Sequence, residues 1–131
     1  MIKIAGISYF TVDEIILMHN NILSISPGRS GILDQGRLES ILEHIQNNNY
    51  YPTLIEKITH LVYSIIQNHA FVDANKRTAL QSGAYFLGEN QHINKIDKYM
   101  EIMENVVVQV ASNQINKEEL KTVLTEIIKS N

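Results

Sequence analysis

The sequence predicts an all-α protein, a single domain over residues 1–131 in which five to seven helices pack at steep angles as an orthogonal bundle. Three observations carry that expectation. Apolar residues recur at i, i+3, i+4 and i+7 along most of the chain, the spacing that gathers them on one helical face. Apolar–polar alternation is almost absent, so no set of strands is expected and only Lys3 to Phe10 leaves room for a short β segment. No heptad is sustained, which argues against a coiled coil. With 131 residues and 44% hydrophobic content, one core can bury roughly two-thirds of the surface the unfolded chain exposes.

Thr11 is placed to cap the first helix, with Glu14 three residues on to reach back, a capping box. Val12, Ile15, Ile16, His19 and Leu23 then follow at helical spacing. Ser26 to Gly31 breaks the pattern as a loop. A second helix is expected to start between Asp34 and Gly36, with Leu38, Ile41, Leu42 and Ile45 as its apolar stripe and Asn47-Asn48-Asn49 as its end. Pro52 suits the first turn of the third helix. The wide stripe of Leu54, Ile55, Ile58, Leu61, Val62, Ile65 and Ile66 makes that helix central and largely buried. It runs into His69. A fourth helix spans Asn75 to about Glu89, its Ala79, Ser82, Gly83 and Ala84 allowing close packing, with Gly88 and Asn90 as stop signals. A fifth covers Ile96 to Ser112. A sixth runs from Asn116 to Lys129, where Asn116 and Glu119 again have capping spacing.

The net charge of −3 comes from interspersed charges, and no basic face stands out, so direct nucleic-acid binding is not expected. Without cysteine there is neither a disulfide framework nor thiolate chemistry. The start, MIKIAGISYF, is too short and mixed for a signal peptide, and no apolar run approaches a membrane span. A soluble cytoplasmic domain with no membrane partner is the expectation.

One stretch departs from this helical background: His69 to Leu80, HAFVDANKRTAL. Backbone N–H groups at a helix start lack intrahelical acceptors and, with the helix dipole, favour an anion. Lys76 and Arg77 fall in that first turn, where a cation opposes the dipole. A bound polyanion removes the conflict, and phosphate suits both the arginine fork and the lysine ammonium. Asn75 can add a side-chain amide to the same oxygens. Asp73 is a carboxylate of the kind that anchors Mg²⁺ beside phosphates. His69 is the nearby group able to act as a base near neutral pH. Phe71 is an apolar residue in a polar loop, suited to fastening the loop to the core. Taken singly, each residue reads as ordinary cap, surface charge or core. Together they form a set sufficient for phosphoryl or nucleotidyl transfer, where positioning and charge stabilisation supply most of the catalysis.

Other motifs are weaker. Gly31 to Gly36 has P-loop glycine spacing but is followed by Arg37-Leu38 instead of Lys-Ser/Thr, with no preceding strand. His19, His44, His60 and His92 lack metal-ligand spacing and are expected in the core or at the surface. Tyr50, Tyr51 and Tyr85 are expected to be packing residues. Ser24, Ser26 and Ser30 carry no nucleophile signature.

At HAFVDANKRTAL the sequence resembles the Fic/Doc family, and within it the Doc branch. The Fic form carries Pro after His, Gly on both sides of Asn and a second Arg three residues after the first. Here Ala70, Ala74, Lys76 and Leu80 stand at those positions, which matches HxFxDANKRTAL. Leu33 to Leu42, LDQGRLESIL, is also similar to the Doc branch, where the family carries a flap that docks the target; many relatives have Arg in place of Leu33. The resemblance, which takes in length and helix order, implies a helical Fic/Doc-like fold. It implies His69 as the base for a target hydroxyl, Asp73 as the Mg²⁺ ligand, Asn75, Lys76 and Arg77 as ATP-phosphate ligands, and Asp34, Gly36 and Arg37 on the flap.

By the same resemblance, the Doc branch phosphorylates a threonine of elongation factor Tu and halts translation. Its control partner is a Phd-type antitoxin whose disordered tail folds as a helix on the toxin. The replacement of Gly by Lys76 and of the second Arg by Leu80 is physically consistent with phosphate rather than AMP transfer. Fic-type nucleotidyl transfer is the alternative, and a non-catalytic binding module is a second one. Glu89-Asn90 and Glu104-Asn105 match the end of the family's inhibitory helix, but Tyr85 and Met100 occupy its Ser/Thr position, so control in trans is expected.

Overall fold

The computed structural model describes residues 1–130. A small hairpin, β1 (Ile2–Ile4) and β2 (Ile7–Tyr9), precedes α1 (Val12–Ile25), α2 (Gln35–Ile45), α3 (Leu54–Asn68), α4 (Asn75–Glu89), a single 3₁₀ turn at Ile93–Lys95, α5 (Ile96–Ala111) and α6 (Lys117–Lys129). The fold is all-α apart from that hairpin, with six α-helices. No helix among the described residues is long and apolar enough to cross a membrane.

Local sequence accounts for most boundaries. Thr11 Oγ1 accepts from Glu14 N while Glu14 Oε1 accepts from Thr11 N, closing the expected box. Asn116 and Glu119 do the same for α6. The third helix differs from expectation at its start. Thr53 is the N-cap and accepts from Glu56 N, so Pro52 lies just outside the helix instead of in its first turn. A hydroxyl that can cap outcompetes the preference for proline at the first helical position.

The expected short β segment is a hairpin in which Ile2 pairs with Tyr9, Lys3 with Ser8 and Ile4 with Ile7. Its two-residue turn, Ala5-Gly6, has φ of 50° and 85°, the mirror-image turn that matches strand twist. Asn90 fastens it to the helical body. Its Nδ2 donates to Ser8 O and Phe86 O, and its Oδ1 accepts from Ser8 N.

Helix α3 is the centre, packed by α2, α4, α5 and α6. Ile58, Leu61, Val62 and Ile65 are fully buried on it. Close approach of α4 and α5 depends on Gly83: a Cβ there would stand 1.9 Å from Tyr99 Oη. Tyr99 is fully buried and donates that hydroxyl to Leu80 O at 3.0 Å. Lys57, also buried, donates its Nζ to Ile45 O and Asn48 Oδ1, tying the end of α2 to α3. Two of the tyrosines expected to pack do not: Tyr50 is 76% exposed and Tyr85 55% exposed. Tyr50 sits in the turn after α2, and Tyr85 sits on the outward face of α4. Their helical or turn spacing carried no information about which face the core would claim.

Candidate functional site

The HAFVDANKRTAL segment closes α3 and opens α4, and both junctions are bent the same unusual way. His69, the C-cap of α3, has φ 48° and ψ 55°. Ala74, the N-cap of α4, has φ 63° and ψ 26°. Left-handed backbone at residues with a Cβ is costly and persists where surroundings enforce it. The enforcing contacts are visible. Phe71 is fully buried and pairs with Ile32 as an isolated antiparallel bridge. Leu33 N and Asp34 N donate to Ala70 O, and Val72 N donates to Gly31 O. Arg37 Nη1 donates to Asn68 O at 2.6 Å and His69 O at 3.3 Å, so it caps the carbonyl end of α3. Its Nε also pairs with Asp34 at 3.3 Å. The flap residues therefore brace the loop directly.

Asn75 is where the structure most changes the sequence reading. Its side chain is buried and already engaged: Oδ1 accepts from Phe71 N and Nδ2 donates to Phe71 O. It acts as a staple across the loop, a role the sequence reading did not include. One amide hydrogen and its backbone N–H are what it still offers.

Helix α4 has no acidic residue in its first turn and no side-chain cap. Its first backbone bond runs from Thr78 N to Ala74 O. The N–H groups of Asn75, Lys76 and Arg77 are left without an acceptor among the described residues. They face a cleft of about 400 Å³ lined by His69, Asp73, Ala74, Lys76 and Arg77. Lys76 is exposed. Arg77 is anchored at one end, donating Nη1 to Ser26 Oγ at 2.6 Å. Gly28 lies close against it, since a Cβ there would stand 2.9 Å from Arg77 Nη2 and 3.2 Å from Asp73 Oδ2.

Asp73 is held ionised by its neighbours. Arg29 N–H donates to its Oδ2 at 3.0 Å and Ala74 N–H to its Oδ1 at 2.7 Å. Those two N–H groups, with smaller help from the Arg77 and Arg29 charges, hold its carboxyl below the usual range. Each oxygen keeps a free lone pair beside the cleft. A single ionised carboxylate next to a phosphate pocket fits the way Mg²⁺ is held when nucleotide supplies other ligands. No group of three or more metal-ligating side chains occurs among the described residues.

His69 also lines a second, larger cleft of about 780 Å³, with Asp34, Gly36, Arg37, Ser40 and His44. The histidine thus stands on the wall between a cationic cleft and a flap-side cleft. The left-handed turn at its own Cα puts the side chain there, beyond the end of α3.

Sequence reasoning missed three contributors. His19, expected only as a core or surface histidine, is 1% exposed and bonded into the loop: its Nε2 is 2.8 Å from Asp73 O and its ring stacks on Phe71 at 3.8 Å. Ser26 and Arg29, read only as loop, contact Arg77 and Asp73. The available signal was His19 on the same helical stripe as Ile15, a polar residue in an apolar row.

Comparison with known proteins shows the family. A profile described as the Fic/DOC family matches residues 9–87, more than half of the chain, from β2 through most of α4. Protein kinase doc of Escherichia phage P1 is 35% identical over 86 residues, covering 63% of this chain and 68% of that protein. Toxin Doc of Mycolicibacterium smegmatis is 37% identical over 73 residues, 53% of either chain. The matched region contains the second cleft and all of the cationic cleft but Ala111 of α5, and it stops short of α5 and α6, so the resemblance spans less of the chain than expected from length and helix order. The chain belongs to the Fic/Doc family.

Proposed function

We propose that this chain is a Doc-type toxin: a protein kinase that moves the γ-phosphate of ATP to a threonine hydroxyl of elongation factor Tu in the cytoplasm and so stops translation. One observation carries the reading. His69 lines both clefts, so a base stands between a site suited to phosphates and a site suited to the segment that bears the hydroxyl. The names of the two Doc relatives support the kinase and toxin parts.

In this reading the first-turn N–H groups of α4, Lys76 and Arg77 hold the triphosphate. Asp73 holds Mg²⁺, which when bound neutralises phosphate charge during transfer. His69 accepts the proton of the threonine hydroxyl as its oxygen bonds to the γ-phosphorus and the bond to the β-phosphate oxygen breaks. ADP leaves, and His69 later returns the proton to solvent. Asn75 contributes through the loop it staples and through its N–H. Arg37 and Asp34 keep the flap against the loop while the target segment lies in the flap-side cleft. Control is by a separate antitoxin of Phd type with a disordered tail that orders on binding.

The test is labelling of elongation factor Tu from γ-labelled ATP with Mg²⁺. Wild type should label the factor, and His69→Ala should reduce labelling by at least about a hundredfold, the scale of losing a general base. Label arriving from α-labelled ATP instead would replace the kinase by a nucleotidyl transferase.

A further inference from the structure

A loop that carries a metal-binding carboxylate and a strained N-cap needs something rigid behind it. In this fold the rigid part belongs to α1, a helix that contributes no residue to the cationic cleft. His19 sits in the middle of α1 and is 1% exposed. Its Nε2 lies 2.8 Å from the carbonyl oxygen of Asp73. A carbonyl can only accept, so that nitrogen carries the hydrogen and the tautomer is fixed. The same ring lies flat on Phe71, centroids 3.8 Å apart and planes 6° from parallel. One side chain therefore grips the loop at two residues, Phe71 and Asp73, on either side of Val72.

The consequence reaches the chemistry through the next peptide. Asp73 O belongs to the peptide unit whose nitrogen is Ala74 N, and Ala74 N donates to Asp73 Oδ1. Holding that carbonyl orients the whole peptide plane. It thereby sets the direction of the carboxylate and keeps Ala74 at φ 63°, the turn that aims the first-turn N–H groups into the cleft. Phe71 is gripped at the same time on its backbone by Asn75. The stack acts on the ring and the staple on the backbone of one residue.

We infer that His19 is a positioning residue for the phosphate-binding loop: through its hydrogen bond to Asp73 O and its stack on Phe71, it sets the orientation of the Asp73 carboxylate and of the α4 N-terminus. The functional half of this inference rests on the proposed phosphoryl transfer, whereas the structural half does not. Groups that orient a metal-binding side chain without touching the metal typically matter by about 10- to 100-fold in affinity or activity.

Three variants separate the contributions. His19→Phe keeps the ring and its stack but removes the N–H. His19→Gln keeps an N–H donor and loses the stack. His19→Leu loses both. Amide hydrogen exchange of the ligand-free protein is read first, since it needs no activity. His19→Phe should speed exchange at Ala74 and Thr78, the two hydrogen-bonded amides of this turn, by about tenfold or more while the amides of α3 stay protected. His19→Gln should recover part of that protection. ATP binding by calorimetry with and without Mg²⁺ is read second. His19→Phe should weaken binding in both conditions, by about tenfold with Mg²⁺ and by less without it. Unchanged exchange at both Ala74 and Thr78 in His19→Phe would overturn the inference, and so would His19→Gln behaving like His19→Leu in both readouts. If wild type binds no ATP, the kinase reading fails, while the exchange result still decides the role of His19 in the loop.

Discussion

Lys76 is the residue on which the chemistry of the proposed transfer turns. It stands exposed in the first turn of α4, forms no ion pair among the described residues, and opposes the helix dipole. A phosphate from outside the chain would give it a partner and remove the conflict with the dipole. Lys76→Gly removes one cation and opens space beside the N–H groups. Labelling from γ-labelled ATP is expected to fall by on the order of a hundredfold, the usual cost of one preorganised charge-stabilising donor. Intact mass of the target then shows whether residual product carries phosphate or has changed to AMP. Asn75 shows how a residue can have a use that its type alone does not announce. Its amide was suited to phosphate oxygens, yet four residues back lay Phe71 with a free N–H and C=O, and a local staple costs less entropy than waiting for a ligand. Thr78 belongs to the same scale. Its Oγ1 is buried without a partner, so Thr78→Val should leave the unfolding free energy from urea titration within about 0.5 kcal/mol of wild type, or raise it.

At the scale of elements, α4 is the one to which everything is referred. It opens with three N–H groups that have no acceptor among the described residues, packs on α3, and accepts α5 across Gly83. The expected role of its small residues is met at that glycine, where a methyl would collide with Tyr99. Gly83→Ala should cost about 1–3 kcal/mol, the range for forcing extra volume into a packed core. Tyr99→Phe removes the oxygen nearest the new methyl, so the pair should cost less than the two single changes added together. Denaturant unfolding of the four proteins checks this, and strict additivity would place the strain elsewhere. The capping boxes of α1 and α6 were legible in sequence because both partners lie within three residues. Pro52 lies two positions before the first helical residue, outside the expected first turn, because Thr53 could cap and proline could not.

Across the whole molecule, the junction of α2, α3 and α6 carries a pH-sensitive chain that no local pattern suggested. His60 Nε2 lies 3.2 Å from His44 Nδ1, and Lys117 Nζ lies 2.8 Å from His60 Nδ1. Burial, then the Lys117 charge and His44, push His60 down to about 4 from 6.5. The folded protein therefore keeps His60 neutral where the unfolded chain would take up a proton. Its contribution to stability is complete above about pH 6.5 and is lost as pH falls toward about 4. Urea unfolding at pH 7.5 and pH 5 should show that decline. His60→Gln should flatten the difference relative to wild type, whatever the baseline set by the carboxylates.

The sequence by itself determined the helices, their caps, the central position of α3, and the inventory of base, carboxylate and cations in HAFVDANKRTAL. Those features depend on spacing and on partners within one or two turns, which a chain carries in its order of residues. The tertiary structure alone decided that His19 grips Asp73 from 54 residues away, that Arg37 caps α3 from 31 away, and that His69 stands between two clefts. It also decided which tyrosines face water. Such contacts arise where helices distant in sequence cross, and their crossing is set by how the whole apolar surface packs, a quantity no short window of sequence contains.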